Sequence, residues 1–419
     1  MVKFARTWQP GRLKGIQVSP EFGTPFLAAT QVFDVRPVAR KWLSLNRTGD
    51  YVERYVREGT IMLTCSGSVG RATPAFSSVS DTLISHDLLR IEAIDERDQG
   101  WIYAYLRAPT IRAMMTSAQY GHMIKHLEVG HLDSMPFIEC PSQEIRDQCQ
   151  RNFKEVISAR NEAAAAIVSA EAGFQGAFET TNLIEDNGES GFNVSSRALV
   201  SGRRRFDATS VNPRTMSIEQ NLALGAVRMQ SLRDLECQVW LPNRFRRVPA
   251  EEGVYLVDSS SIFEINPDPR RRISAEAIVD RNGGFVEENW LLMSRSGQVY
   301  GLLGSVALAT ANHAGKVVTD DIIRIVAGEN LDPGYLHLCL SDERLGRPRI
   351  KSLAYGSSIP HIEVEDLLDM KIPRFDQEFE GRLGALVQFA YKRWAEADEL
   401  ENQLSDLAEE AISAFLSTS

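Results

Sequence analysis

Cysteine is scarce in this chain. Five occur in 419 residues, at Cys65, Cys140, Cys149, Cys237 and Cys339. They are scattered, odd in number and never spaced as CxxC. That excludes a disulfide framework and structural zinc as the simplest readings, and points to a reduced, cytoplasmic protein. Long apolar runs are missing too, so no stretch of the sequence reads as membrane-spanning. The N-terminal "MVKFARTWQPGRLKG" has basic residues but no apolar core behind them, and does not read as a secretory signal. Enzyme signatures are absent: there is no GxSxG, HExxH or Walker sequence, and "NPDP" at 266–269 is not the "NPPY"-type motif of an adenine methyltransferase.

A basic surplus is also lacking, since the net charge is −10. Its distribution matters more than its sum. Residues 1–140 carry 16 basic and 14 acidic groups, and residues 201–373 carry 21 and 23. The acidic excess sits in residues 141–200, with 5 basic and 9 acidic, and in 374–419, with 4 and 10. Elsewhere there are local basic clusters, "GRRRF" at 202–206, "NRFRR" at 243–247 and "PRRR" at 269–272. Total charge therefore decides nothing, and a local anionic partner stays open.

What is present is a long internal repeat. "YGHMIKHLEVGHLDSM" (120–135) and "YGSSIPHIEVEDLLDM" (355–370) match at eight of sixteen positions without a gap. The match extends outward. "ISHDLLRIEA" (84–93) parallels "VTDDIIRIVA" (318–327), and "GWIYAYL" (100–106) parallels "GYLHLCL" (334–340). "GTIMLTCSGSVG" (59–70) resembles "NWLLMSRSGQVYG" (289–301), and "WQPGRLKGI" (8–16) echoes "WLPNRFRRV" (240–248). The offset stays between 230 and 235, far beyond the period of a solenoid. This is a duplicated domain. In each copy "IMLTC"/"WLLMS" and "LLRIEA"/"IIRIVA" read as buried strands, and "QGWIYAYLRAPTIRAMM" reads as one helix running to about Met115. Each copy is thus mixed α+β.

A different kind of segment follows each copy. Residues 142–178 and 376–416 come after Pro141 and Pro373 and are rich in helix formers. In the second, Leu383, Leu386, Ala390, Ala397, Leu400, Leu404, Leu407 and Ala411 recur at alternating three- and four-residue steps, with Arg393 the one interruption. That is a heptad seam. In the first, Ile145, Cys149, Phe153, Val156, Ala163, Ile167, Ala170 and Phe174 form a looser stripe. Each helix would run roughly 55–60 Å, and their acidic excess reads as solvated helix faces. Two matched stripes in one chain predict an antiparallel pair, with the copies related by a pseudo-two-fold axis. The expected organisation is a first domain over 1–140, a long helix over 141–178, a hinge and connecting segment over 179–236, a second domain over 237–373 and a second long helix over 374–419. Residues 203–236 have no counterpart in the first half.

Two α+β domains, each closed by an "L..(M/I)P" element and a long helix, resemble the DNA-specificity subunit of type I restriction-modification systems. The resemblance covers essentially the whole chain. It is carried by Gly67–Ser68–Val69–Gly70 with Gly297–Gln298–Val299–Tyr300. It is carried too by Gly121, Ile124, His126, Leu132 and Pro136, which match Gly356, Ile359, His361, Leu367 and Pro373. "RRFDATSVNP" at 204–213 is similar to the "R-[FL]-D-A" segment often found ahead of a recognition domain in that family, and it is missing before the first domain. The resemblance implies a non-catalytic subunit. Each domain would be a target recognition domain reading half of a split, asymmetric site in double-stranded DNA, and the paired helices would set the spacing and dock two methyltransferase subunits. Restriction or translocase subunits would join in some systems. The chain itself would bind no cofactor, and S-adenosylmethionine would belong to the partner.

Base-reading side chains are expected in the loops that differ between the copies. The candidates are Tyr120, His122 and Lys125, with Tyr355, Ser357 and Ser358 in the matching place. A second group is Ser66, Ser68 and Arg71, with Arg295, Ser296, Gln298 and Tyr300 in the matching Gly/Ser-rich loop; a plain β-turn explains these loops equally well. Arg270, Arg271 and Lys316 are candidates for phosphate contact, against a solvated loop. His122, His126 and His131 have spacings of interest for a metal, but the second copy holds Ser357, His361 and Asp366 there, so no metal is expected. Phe153, Ile167, Phe174, Leu383, Leu386, Trp394, Leu400, Leu404 and Leu407 are candidates for helix pairing or partner docking. Two other classes remain open: a coiled-coil scaffold with two protein-binding domains, and an enzyme with an unrecognised site.

Overall fold

The computed structural model describes residues 1–12, 15–47, 51–118, 126–178, 183–184, 191–200, 205–267, 271–278, 284–298, 301–356 and 358–418. Strands and helices are mixed, and two helices are long. The chain divides into two compact units. Unit 1 comprises Met1–Ala164, Glu264–Asn266 and Arg393–Ser419, and unit 2 comprises Ala165–Phe263 and Pro267–Lys392.

Unit 1 is built on two small sheets. The first has β1 (Ala5–Trp8), β8 (Leu88–Ala93), β5 (Ile61–Thr64) and β6 (Ala72–Pro74) side by side, all antiparallel. The second has β2 (Gln17–Val18), β4 (Lys41–Leu43), β3 (Thr24–Leu27) and β7 (Leu83–Ile84), with β3 and β7 parallel. Ile61, Met62, Leu63, Leu88, Leu89 and Ile91 are fully buried, as apolar strands covered on both faces should be. The segment read as one helix is two, α1 (Gln99–Arg107) and α2 (Pro109–Ala118). Pro109 explains the break. A residue before proline is excluded from the helical region, and Ala108 is accordingly extended at φ −55°, ψ 133°. Then come α3 (Val129–Ser134) and the start of α4 (Gln143–Gln175).

Unit 2 repeats this plan. It opens with α5 (Ser196–Val200), α6 (Pro213–Gly225) and β9 (Arg228–Ser231). Its main sheet orders β10 (Gln238–Trp240), β16 (Ile322–Val326), β13 (Leu291–Ser294) and β14 (Val306–Leu308) as unit 1 orders β1, β8, β5 and β6. A second sheet joins β12 (Arg272–Ile273), β11 (Pro249–Val257) and β15 (Val317–Val318), again with one parallel pair. The helices α7 (Pro333–Ser341), α8 (Arg347–Leu353) and α9 (Val364–Leu368) follow, then β17 (Lys371–Arg374) and α10 (Gln377–Thr418), which passes into unit 1 at Arg393. β17 pairs with β9, so the connecting segment adds a strand pair to the second copy.

The duplication reaches individual contacts. Arg90 on β8 is fully buried and donates to the carbonyls of Ile84, at 3.1 Å, Ser85, at 3.0 Å, and Leu88. Arg324 on β16 does the same to Val318, at 2.7 Å, Thr319, at 2.9 Å, and Ile322. Trp101 Nε1 donates to Ile138 O at 3.0 Å, and Tyr335 Oη donates to Pro373 O at 2.8 Å. Gly100 and Gly334 open α1 and α7 against the main chain of the long helices. A Cβ would stand 2.4 Å from Cys149 O in the first case and 2.3 Å from Gly384 O in the second, so only glycine lets the backbones approach.

The long helices bury defined faces. On α4 the stripe Cys149, Phe153, Val156, Ala163, Ile167, Ala170 and Phe174 is buried, and Arg160 occupies the position between Val156 and Ala163. On α10 a buried stripe runs through Leu383, Val387, Ala390, Trp394, Ala397, Glu401, Leu404, Ala408 and Ile412, with Glu380, Gly384 and Tyr391 buried beside it. Leu386, Leu400 and Leu407 lie one residue to the side and are half-buried. The seam therefore runs through alternate members of the predicted stripe and through Val387, Trp394, Glu401 and Ala408 between them. Leucine spacing alone missed this because a buried glutamate breaks the apolar pattern.

Glu401 is tolerated by its partners. Arg160 Nη2 lies 2.6 Å from Asp398 Oδ1 and 3.1 Å from Glu401 Oε2, and Tyr103 Oη donates to Glu401 Oε1 at 2.6 Å. Arg107 stands 3.7 Å from Glu401. Further along, Arg393 pairs with Glu155 at 2.7 Å and Glu162 at 2.9 Å. Those glutamates are seven apart and so share one face of α4. These pairs hold α4 and α10 side by side within unit 1.

Candidate nucleic-acid interface

In each copy the first candidate loop is joined to the residues just ahead of α3 or α9, forming one ledge. The first begins where β5 or β13 ends, and the second ends just before α3 or α9. Ser66 forms an antiparallel bridge with His126, and Leu127 N donates to Cys65 O at 2.8 Å. In the second copy Ser296 bridges to His361, Ile362 N donates to Arg295 O at 3.1 Å, and Gly297 N donates to Pro360 O at 3.1 Å. The serine hydroxyls are committed alike. Ser66 Oγ donates to Asp87 Oδ1 at 3.1 Å and Ser296 Oγ to Asp321 Oδ1 at 3.0 Å. These contacts form a common frame.

The copies differ at the tip. In the first, Thr64 Oγ1 donates to Ser68 O at 2.6 Å, and Gly70 N returns to Thr64 O at 3.0 Å. In the second, the equivalent return is Gly304 N to Ser294 O at 2.9 Å. Gly70 and Gly304 both hold positive φ, +88° and +71°, a conformation glycine adopts without Cβ penalty. The structural partner of Gly70 is therefore Gly304, and neither Tyr300 nor Gly301, the residues the letters set opposite it. β5 and β13 start 230 residues apart, whereas β6 and β14 start 234 apart. The second loop thus carries four extra residues, and Gln298 sits in that longer loop, exposed.

The remaining candidates fall into clear groups. Ser68, Gln298, Ser358 and Arg271 are exposed, and Tyr355 is 40% exposed. Arg71 is engaged inside unit 1, paired with Glu264 at 2.7 Å and stacked 4.3 Å from the Phe33 ring centroid. Arg295 pairs with Glu363 at 2.9 Å, and the same carboxylate lies 3.2 Å from His361 Nε2. The Tyr355 ring packs 4.7 Å from the His361 ring, and the two residues exchange backbone hydrogen bonds of 3.1 and 3.0 Å. Thus Arg295, Ser296 and Tyr355 come together around His361 and Glu363. Lys316 is half-buried in a separate loop, where its N–H donates to His313 O at 3.1 Å. Tyr120, His122, Lys125, Arg270, Tyr300 and Ser357 lie outside the described residues. His131 Nδ1 accepts from Glu128 N at 3.0 Å and caps α3, which gives that histidine a local structural task. Among the helix candidates, Phe153, Ile167, Phe174, Leu383, Trp394 and Leu404 are buried.

The electrostatics of the ledge are local. Burial pushes the Cys65 thiol up to about 12, so it is a neutral thiol beneath the first loop. Burial lowers Arg90 and Arg324 to about 10, which still leaves both charged at neutral pH, each anchoring the turn that carries Asp87 or Asp321. The ledge can present hydroxyl, amide, phenol and imidazole groups, the donor and acceptor types that read base edges. Sequence reasoning missed Asp87, Asp321 and Glu363, which orient these groups. The signal was available, since "SHD" and "TDD" occupy matching places in the repeat. Among the described residues, no group of three or more His, Cys, Asp and Glu is arranged to hold a metal ion, and no helix is long and apolar enough to cross a membrane.

No family model matches this chain, and no curated protein sequence does either. Solved structures do overlap with it. One is the S subunit of a type I restriction-modification system from M. genitalium, at 10% identity and a TM-score of 0.31, covering 97% of this chain and 93% of that one. Another is the HsdS subunit from Thermoanaerobacter tengcongensis, at 12% identity and a TM-score of 0.30, with coverages of 98% and 95%. A third comes from a study of complex assembly and conformational transition in the type I R-M system, at 14% identity and a TM-score of 0.31, with coverages of 97% and 96%. Coverage is nearly complete and the TM-scores are low, so the function proposed next rests on the residues of this chain.

Proposed function

We propose that this chain is a non-catalytic DNA-recognition subunit that directs a partner adenine-DNA methyltransferase to a bipartite, asymmetric site. One observation carries this reading: a ledge built twice on the same frame, with different residues and a different loop length at its exposed tip. A catalytic site duplicated for catalysis would keep its tip chemistry. Two readers of unlike half-sites keep the frame and vary the tip. Ser68 in the first copy, and Gln298, Tyr355 and Ser358 in the second, are the exposed described groups suited to base edges, with Arg271 suited to phosphate. Tyr120, His122, Lys125, Tyr300 and Ser357 belong to the same proposal by position in the sequence.

The partners follow from this role. Two methyltransferase subunits dock along the long helices and bring S-adenosylmethionine, and restriction or translocase subunits join in systems that also cleave. The assembly works on cytoplasmic DNA.

The direct test is selection from random-sequence duplexes, with the chain alone and with its methyltransferase. The expected product is a split motif with a fixed gap. No enrichment in either format would remove the DNA-recognition reading and favour a protein-binding scaffold; methylation by the isolated chain would favour an enzyme.

In this proposal α4 and α10 set the gap. Removing seven residues from each helix keeps the seam in phase and takes out about 10 Å of rise. The gap in the selected site should then shorten by about three base pairs, at 3.4 Å each, with both half-sites retained. Altered half-sites with an unchanged gap would refute the ruler.

A further inference from the structure

The connecting segment between the copies packs against the second ledge. Arg205 is the contact. Its Nε and Nη2 form a fork on Asp207, at 2.7 and 2.9 Å. Its Nη1 donates to Leu353 O at 2.7 Å and more weakly to Ser352 O at 3.4 Å, while Nη2 donates to Ala354 O at 2.6 Å. Those carbonyls close the C-terminus of α8, where the last turn of a helix leaves acceptors without intrahelical partners. The guanidinium also lies 5.4 Å from the centroid of the Tyr355 ring. Tyr355 is the first residue of the second loop, and His361, which pairs with it, is the last.

Asp207 makes this arrangement rigid. It also caps the short helical turn Ala208–Val211 by accepting from Ser210 N at 3.0 Å. Burial works against its charge, but Arg205 and the Ser210 N–H outweigh that and hold its carboxyl below the usual range. A second tie lies farther along the same segment, where Glu219 on α6 pairs with buried Arg349 on α8 at 2.7 Å. The segment thus grips α8 at both ends.

We propose that Arg205 is a positioning residue for the second recognition loop: it locks the end of α8 and the Tyr355 ring, and through them sets base selectivity in one half-site only. Selectivity here rests on the DNA-recognition reading above; the positioning itself does not. The planar fork satisfies several fixed acceptors and stacks on an aromatic face at once. Lysine offers a single rotating ammonium and cannot replace it.

The test uses the full chain with Arg205→Ala and Arg205→Lys. Amide hydrogen exchange should quicken at least tenfold at Tyr355, His361 and Ile362 in both variants, with β13, β16 and all of unit 1 unchanged. In duplex selection, base preference should fall at least tenfold in the half-site that Tyr355→Ala also weakens, and stay intact in the other. Unchanged exchange at these amides overturns the positioning role, whatever the DNA result. Equal loss at both half-sites, or full rescue by lysine, overturns half-site control. If the unaltered chain selects no sequence while exchange still quickens, recognition fails and the positioning role stands.

Discussion

Arg160→Met should destabilise unit 1 by about 3–5 kcal/mol at neutral pH, the range seen when one member of a buried ion network is removed. Arg160 is 3% exposed, Glu401 is 1% exposed, and Asp398 lies beside them. Without the guanidinium, two carboxylates face each other, with Arg107 3.7 Å from one of them. The pH dependence separates this from a simple packing loss. Burial already raises the Asp398 carboxyl, whereas Arg107, Arg160 and the Tyr103 hydroxyl outweigh burial at Glu401 and lower its carboxyl. Loss of Arg160 moves both carboxyls upward in the folded state. A group raised in the folded state favours folding below its unfolded value and loses that support as pH rises through the folded value. The deficit should therefore shrink on acidification from pH 7.5 to 5. Urea unfolding at both values decides the matter: a deficit independent of pH would exclude buried charge as its cause.

Arg90→Leu and Arg324→Leu should each cost about 3 kcal/mol or more, and each in its own unit. The leucine takes a guanidinium donor from three buried carbonyls, at about 1–3 kcal/mol for each group left unsatisfied, offset in part by apolar burial and, at Thr319 O, by its remaining bond from Ile322 N. The effect should be local. Arg90 anchors the turn holding Ile84, Ser85 and Leu88, which carries Asp87 and hence Ser66. Arg324 anchors the matching turn, which carries Asp321 and Ser296. Hydrogen exchange resolved by peptide should show faster exchange in β8 and β5 for the first variant, and in β16 and β13 for the second. Equal loosening of both units by either variant would contradict independent roles.

The duplicated plan was legible because apolar strands and glycine contacts leave marks in the letters. "LLRIEA" and "IIRIVA" fold as β8 and β16, and "GW" and "GY" open α1 and α7 against the long helices. Three features were read differently. The α1–α2 break follows from Pro109, a signal outweighed by the apolar periodicity across it. The α10 seam follows a buried glutamate that no apolar pattern can reveal. The loop alignment went wrong because "GSVG" matches "GQVYG" by letter, whereas Gly304 takes the backbone conformation of Gly70. In the candidate site, the sequence singles out loops without distinguishing their members. Arg71 and Arg295 carry the same charge as Arg271, yet they are held by Glu264 and Glu363, partners remote in the chain.

By itself, then, the sequence determined the duplication, the mixed α+β copies and the two long helices, since periodicity and composition are local properties. Only the tertiary structure decided which polar groups face solvent and which hold the frame. That depends on long-range pairing: Ser66 with Asp87, Arg160 with Glu401, and Arg205 with the end of α8. A hydrogen bond between residues far apart leaves no periodic trace in the sequence, and such bonds separate the constant frame of each ledge from its variable tip.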